Sequence, residues 1–176
     1  MAESARVVVG VSGSLSSLAA LHRAVAEARQ RDAVLVPVLA WHAVGGETAY
    51  RTAPCPQLLT VWEEAARRRL DTAFEQAFGG FPAGVRVLPL LVRDENPGRA
   101  LVRTADRPDD LLVVSTGRQG RLRRILHGSV SRYCLAHARC TVAAVPPSEL
   151  LEALERAADS GEPMTLPGAW TARTAA

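Results

Sequence analysis

Consecutive apolar positions recur along the chain in short runs, at Arg6–Val11, Val34–Ala40, Val85–Val92, Leu111–Ser115 and Thr141–Val145, the last closed by Pro146-Pro147. Runs apolar on both faces suit strands of a parallel sheet covered on both sides. Between them the apolar residues change to helical spacing. Leu18, Leu21, Val25 and Ala28 make one stripe that follows a cap at Ser14 or Ser16 and ends near Arg31. Gln57 to Phe78 repeats the pattern with Leu59, Trp62, Ala66, Leu70, Ala73 and Ala77. Pro97 after Asn96 opens a short helix through Ala105, because proline is tolerated where the first N–H has no helical partner. Ser129 to Ala138 carries Val130, Tyr133, Cys134 and His137 at the same spacing. Strands alternating with helices predict a doubly wound α/β domain.

Ligands of such sheets bind beyond the carboxyl ends of the strands, where the strand order reverses. The first and fourth runs end in two glycine- and serine-rich loops, Gly10–Ser14 and Ser115–Gly120. The second loop opens the stretch LLVVSTGRQGRLRRILHGS, Leu111 to Ser129. There a strand is followed by Gly117 and Gly120, an arginine-rich segment, and Gly128-Ser129 at a helix start. Glycines let backbone N–H groups approach a ligand, and a helix N-terminus favours an anion. The order is that of a phosphate-binding turn, and equally that of an ordinary βα loop with glycines for its bends.

Length and composition narrow the picture. One domain is expected at 176 residues, with 48% hydrophobic and 22% charged residues. Residues 1–147 are read as that domain, and 148–176 as an acidic helix, Glu149 to Ala158, with a flexible tail. Net charge is +3, too mild to point to nucleic acid. All 21 basic residues are arginine, which excludes a P-loop lysine and a Schiff-base lysine. Cys55, Cys134 and Cys140 form an odd set without metal-site spacing, the last two expected to be small buried residues. The N-terminus lacks a cleavage pattern and no apolar stretch reaches membrane length, so a cytoplasmic protein without membrane contact is expected. Trp41 to Pro56 is a long connection without clear periodicity, placed after the second strand where it could cover the mouth of a cleft.

Catalytic constellations are thin. The turn from Gly10 to Ser17, GVSGSLSS, has Ser14 where a hydrolase nucleophile elbow needs glycine. Ser12-Gly13-Ser14 and Ser16-Ser17 partly match the phosphate loop of ATP pyrophosphatases, but Leu15 stands where that loop has its acid. A serine-capped strand-to-helix turn accounts for the same residues. His22 and His137 lie inside amphipathic helices and are expected to be partly buried, while His127 adjoins Gly128 without a carboxylate in sequence. Asp94-Glu95 and Asp109-Asp110 mark element boundaries. No nucleophile–base set and no metal-ligand set emerges, so binding is favoured over turnover.

From Leu111 to Val145 the chain resembles the universal stress protein family, carried by LLVVSTGRQGRLRRILHGSVSRYCLAHARCTVAAV; the start, VVVGVSGSLSSLAAL, is similar to the family's first strand and turn. The resemblance runs from Arg6 to Pro147. It implies a Rossmann-like five-stranded parallel sheet of order 3-2-1-4-5 and a homodimer formed through the fifth strand. In nucleotide-binding members the matching positions hold phosphate and ribose at Gly117, Gly120, Gly128, Ser129 and Val130. Adenine would meet Val11, Ser12 and Ala40. The resemblance thus implies an ATP- or AMP-binding stress-response regulator, with or without Mg, that hydrolyses slowly if at all. Two departures set the chain apart. Seven residues, Arg121 to His127, separate Gly120 from Gly128, two fewer than the family pattern places there, and Ser12 stands where the family usually has aspartate. The shortened glycine loop leaves open a protein-interaction module that has lost its nucleotide. An ATP-pyrophosphatase-like enzyme is the remaining alternative.

Overall fold

The computed structural model describes residues 4–116 and 130–146. Five strands, β1 (Arg6–Gly10), β2 (Val34–Trp41), β3 (Leu90–Arg93), β4 (Leu111–Ser115) and β5 (Thr141–Val145), form one parallel sheet of order β3-β2-β1-β4-β5. The order reverses between β1 and β4, as expected. Described helices are α1 (Leu15–Arg31), α2 (Glu47–Thr52), α3 (Pro56–Phe78), α4 (Pro97–Thr104) and α5 (Val130–His137).

Alternation along the strands divides the core in two. Val7, Val9, Leu35, Leu39, Leu111 and Val113 meet Leu21 and Val25 of α1 and Leu70 and Phe74 of α3. Val8, Val36, Val38, Leu112 and Val114 point to the opposite face, onto Leu101 of α4 and Cys134 of α5. Fully burying one such Leu, Val or Phe is worth about 1.5–3 kcal/mol, which is why the buried strand interiors, Val7–Val9 and Leu111–Val114, carry no polar residue. Burial also pushes the Cys134 thiol up to about 11, so it stays protonated and behaves as an apolar filler. Cys140 is only half-buried, since the β5 side of the sheet has one strand neighbour.

The third strand is shorter than its apolar run predicts. Leu35 donates to the Arg86 carbonyl and accepts from the Leu88 N–H, a bridge that pairs Leu35 with Val87. Two residues on, Pro37 has no N–H to offer on that same side. Continuous pairing resumes only at Val38–Leu90. Residues 85–89 therefore run beside β2 without forming a strand.

Two polar clusters fix the ends of elements. The Asp110 carboxylate accepts from Arg6 Nε at 2.9 Å and Nη2 at 2.6 Å and from the Arg107 N–H at 3.1 Å, tying β1 to the start of β4. Asp94 takes Arg99 at 2.6 and 2.8 Å and the Asn96 N–H at 2.8 Å, while Asn96 Oδ1 caps α4. Both acidic pairs thus sit at element boundaries.

The 41–56 connection is more ordered than its sequence suggests. Its helix α2 is anchored to the end of β3, where Arg93 grips the Glu47 carboxylate at 2.6 and 2.8 Å and lies 4.7 Å from the Tyr50 ring centroid. That anchoring holds the segment to the β3 side instead of over the cleft. The two helical histidines are exposed, not partly buried, because each lies on the outer face of its helix. His22 makes an edge contact with Phe78, and His137 stacks on Tyr133 one helical turn earlier.

Candidate functional site

The strand-order reversal leaves a cleft of about 530 Å³ beyond the carboxyl ends of β1 and β4. Crevices of 300–1,000 Å³ with apolar walls and a few polar groups are typical of small-molecule sites. Val11, Val38, Leu101 and Val114 supply the walls, and hydroxyls of the two strand-end loops supply the polar rim.

The β1 turn is built by its own side chains. Gly13 takes φ +79°, a left-handed conformation that other residues rarely adopt, and so turns the chain into α1. Ser14 caps α1 by accepting the Ser17 N–H at 3.3 Å. Buried Ser17 Oγ donates to the Ser14 carbonyl at 2.8 Å and accepts the Ser12 N–H at 3.3 Å, which closes the turn. The Ser12, Ser14 and Ser16 hydroxyls then form a chain with spacings of 3.0 and 3.2 Å, exposed toward the cleft. Across the sheet, Thr116 follows β4 and bonds the Val145 carbonyl through its N–H at 2.9 Å and its hydroxyl at 3.2 Å.

Gly10 closes the floor. A Cβ there would stand 2.9 Å from Leu101 Cδ1, so α4 reaches the sheet at this level only because residue 10 has no side chain.

Four sequence-predicted residues line this one cleft: Val11 is buried, Ala40 and Val130 are half-buried, and Ser12 is exposed. Gly117, Gly120, Gly128 and Ser129 lie outside the described residues. No residue of the 41–56 connection lines it. Sequence reasoning missed Arg69, whose guanidinium reaches the cleft from α3 and donates to the Ser12 carbonyl at 3.2 Å. It ends the run Arg67-Arg68-Arg69 on the outer face of α3, and nothing local separates it from a solvated charge. Leu101 and Pro97 were missed for a similar reason, as ordinary residues of an amphipathic turn.

Among the described residues lining the cleft, Arg69 is the one charged group and no carboxylate is present. The described residues also hold no cluster of three or more His, Cys, Asp or Glu fit for a metal ion. The electrostatics therefore favour an anionic ligand.

A family model, that of the universal stress protein family, matches residues 4–146. The chain belongs to this family. Among solved structures it is similar to a universal stress protein in complex with cAMP, at 29% identity over 82% of this chain and 98% of that one, TM-score 0.52. It is similar in fold to the universal stress protein UspA from Lactobacillus plantarum, at 20% identity over 82% and 99% of the two chains, TM-score 0.58. A hypothetical protein solved as a test case for assigning biochemical function from structure shares the fold at 16% identity over 82% and 96%, TM-score 0.62. No curated protein matches the chain. The sheet and both described helical layers of this family member fall within the matched residues. Among the described residues, no helix is long and apolar enough to cross a membrane.

Proposed function

We propose that this member of the universal stress protein family binds an adenine nucleotide in the cleft between β1 and β4 and acts as a stress-response regulator with little or no hydrolysis. The observation that carries the reading is the gathering of Val11, Ser12, Ala40 and Val130 around one cleft at the strand-order reversal. A 29% identical relative in complex with cAMP supports the ligand class. On this reading adenine rests on Val11, Ser12 and Ala40. Ribose and phosphate lie toward Val130 and toward Gly117, Gly120, Gly128 and Ser129. Mg, where it accompanies ATP, would be held by the phosphates, since no carboxylate among the described residues lines the cleft and Mg prefers oxygen anions. Little hydrolysis is in keeping with the described part of that lining, where no carboxylate or histidine stands to activate water.

The test is native mass spectrometry of the purified protein followed by calorimetry with AMP and ATP. Ala40→Phe places a ring in the cleft from a half-buried strand position and should abolish binding with little change in thermal midpoint. If the wild type carries no nucleotide and gives no calorimetric signal, the reading is wrong and an interaction module takes its place.

A homodimer through β5 belongs to the same proposal. β5 ends the sheet, with Thr141 and Ala144 exposed and Val142, Ala143 and Val145 half-buried. An uncovered apolar edge presents unpaired N–H and C=O groups on which a second chain can pair. Light scattering at micromolar concentration should give the dimer mass; a monomer would refute it.

A further inference from the structure

We propose that the groove between α2 and the β3–α4 turn is the docking surface for the chain's own acidic segment, Glu149 to Glu162. The groove has a volume of about 560 Å³ and shares no described lining residue with the cleft between β1 and β4.

Its charges do not balance. Among the described residues four arginines and three carboxylates line it, and every carboxylate already has a partner. Glu47 is gripped by Arg93 at 2.6 and 2.8 Å, and Asp94 by Arg99 at 2.6 and 2.8 Å. Glu95 accepts the Glu47 N–H at 2.5 Å. Arg51, in the last turn of α2, and Arg103, one turn beyond Arg99 on α4, are exposed and make no hydrogen bond or ion pair. They act on Glu47 and Asp94 only through space. Two guanidiniums are thus left over in one groove, each with a planar set of donors suited to a carboxylate.

The chain carries the matching charge. Residues 149–162 lie outside the described residues, but their sequence sets five carboxylates, Glu149, Glu152, Glu155, Asp159 and Glu162, against one arginine, Arg156. The segment departs from the carboxyl end of β5, and the groove lies beyond the carboxyl ends of β2 and β3 in the same parallel sheet. Four strand intervals separate β5 from β3, about 19 Å in all. The stretch from Pro147 to Glu162 spans about 30 Å even when 149–158 is counted as helix, so it reaches the groove within one copy. A tether of that length gives an effective concentration of about millimolar, an advantage that a separate acidic peptide lacks.

The absence of lysine makes the contact readable. Arg103→Lys in the full chain introduces its one side-chain amine, and a carbodiimide joins that amine to a carboxylate in contact as an amide, with loss of water. Peptide mass spectrometry should find position 103 linked to carboxylates of Glu149 to Glu162. Adding Arg51→Gln removes the neighbouring charge without a competing carboxylate, and the yield of those links should fall about two- to fivefold, the worth of one exposed ion pair. In a mixture of isotope-labelled and unlabelled copies, the two linked peptides should carry the same label. Links confined to Asp94, Glu95 and other described carboxylates would overturn the proposal. So would a yield indifferent to Arg51→Gln, which marks chance encounter, and so would pairs of mixed label, which put a second copy's segment in the groove.

Discussion

Gly10→Ala is a one-methyl perturbation at the floor of the cleft. The new Cβ would lie 2.9 Å from Leu101 Cδ1, 3.5 Å from Cδ2 and 3.7 Å from Cγ. Carbon atoms in contact prefer about 3.5–4.0 Å, so Leu101 must withdraw by roughly 0.6–1 Å. It has little freedom to do so, being 3% exposed and packed beneath Val8, Val38 and Val114. Overpacking of this kind costs about 1–3 kcal/mol. Replacing glycine stiffens the unfolded chain and returns about 0.4–1 kcal/mol. The net loss is therefore about 0.5–2 kcal/mol, a fall of about 2–6 °C in thermal midpoint for a domain of this size. Leu101→Ala alone should cost about 2–5 kcal/mol through the cavity it leaves. In that background the methyl added at position 10 enters the cavity instead of meeting a side chain, and Gly10→Ala should become neutral or stabilising. Urea unfolding of both single variants and the double variant at about 25 °C gives the coupling, expected at about 1–2 kcal/mol. Equal costs for Gly10→Ala in the two backgrounds would show that Leu101 does not oppose a side chain at position 10, and the account of the floor would be wrong.

Two further outcomes concern the polar clusters. Asp110→Ala removes a fully buried carboxylate that takes both Arg6 donors and the Arg107 N–H, and should cost about 2–4 kcal/mol in urea unfolding, somewhat below a fully buried pair because Arg6 is partly exposed. The Arg99 guanidinium beside Asp94 holds its carboxyl below the usual aspartate range, so the stability it contributes is complete above about pH 4 and is lost as pH falls through the lowered folded value. Arg99→Gln should remove that contribution, lowering stability at neutral pH and flattening the acid limb below about pH 5, so that the two proteins converge as pH falls through the lowered folded value; an identical acid limb in the variant would refute the assignment.

Much of the fold was legible because its signals are local. Val-rich runs such as Arg6–Val11 and Leu111–Ser115 cannot be amphipathic helices at their length, and Pro97 after Asn96 marks a helix start on its own. The order of the sheet came from the resemblance, not from the runs. Errors arose where one strand's chemistry acts on another. Pro37 removes a ladder bond of β3 although it lies in β2, and within 85–92 Pro89, which falls opposite it, is the local mark of the break. Arg93 orders α2 from a distant strand, so the 41–56 connection looked irregular when read alone. Val11, Ser12, Ala40 and Val130 came from the resemblance, and the structure brings all four to one cleft, while Arg69 reaches that cleft from a third element, which no local pattern marks.

The proline in β2 has a consequence for how the sheet comes apart. Its effect falls on the β3 side alone: toward β1 the pairing runs unbroken from Arg6–Val34 to Gly10–Val38. Stability in such a domain is divided into cooperative units that open at different free energies, and a missing ladder bond sets a natural seam. Here the seam isolates β3, with α2 clipped to it through Arg93 and Glu47, as the outermost unit. The β1–β4 pair that frames the cleft belongs to the unit on the other side. Fluctuations that free the outer strand and its short helix therefore reach the cleft at Val38 and Ala40, which pair with Leu90 and Val92, and leave its Gly10–Leu101 floor in place.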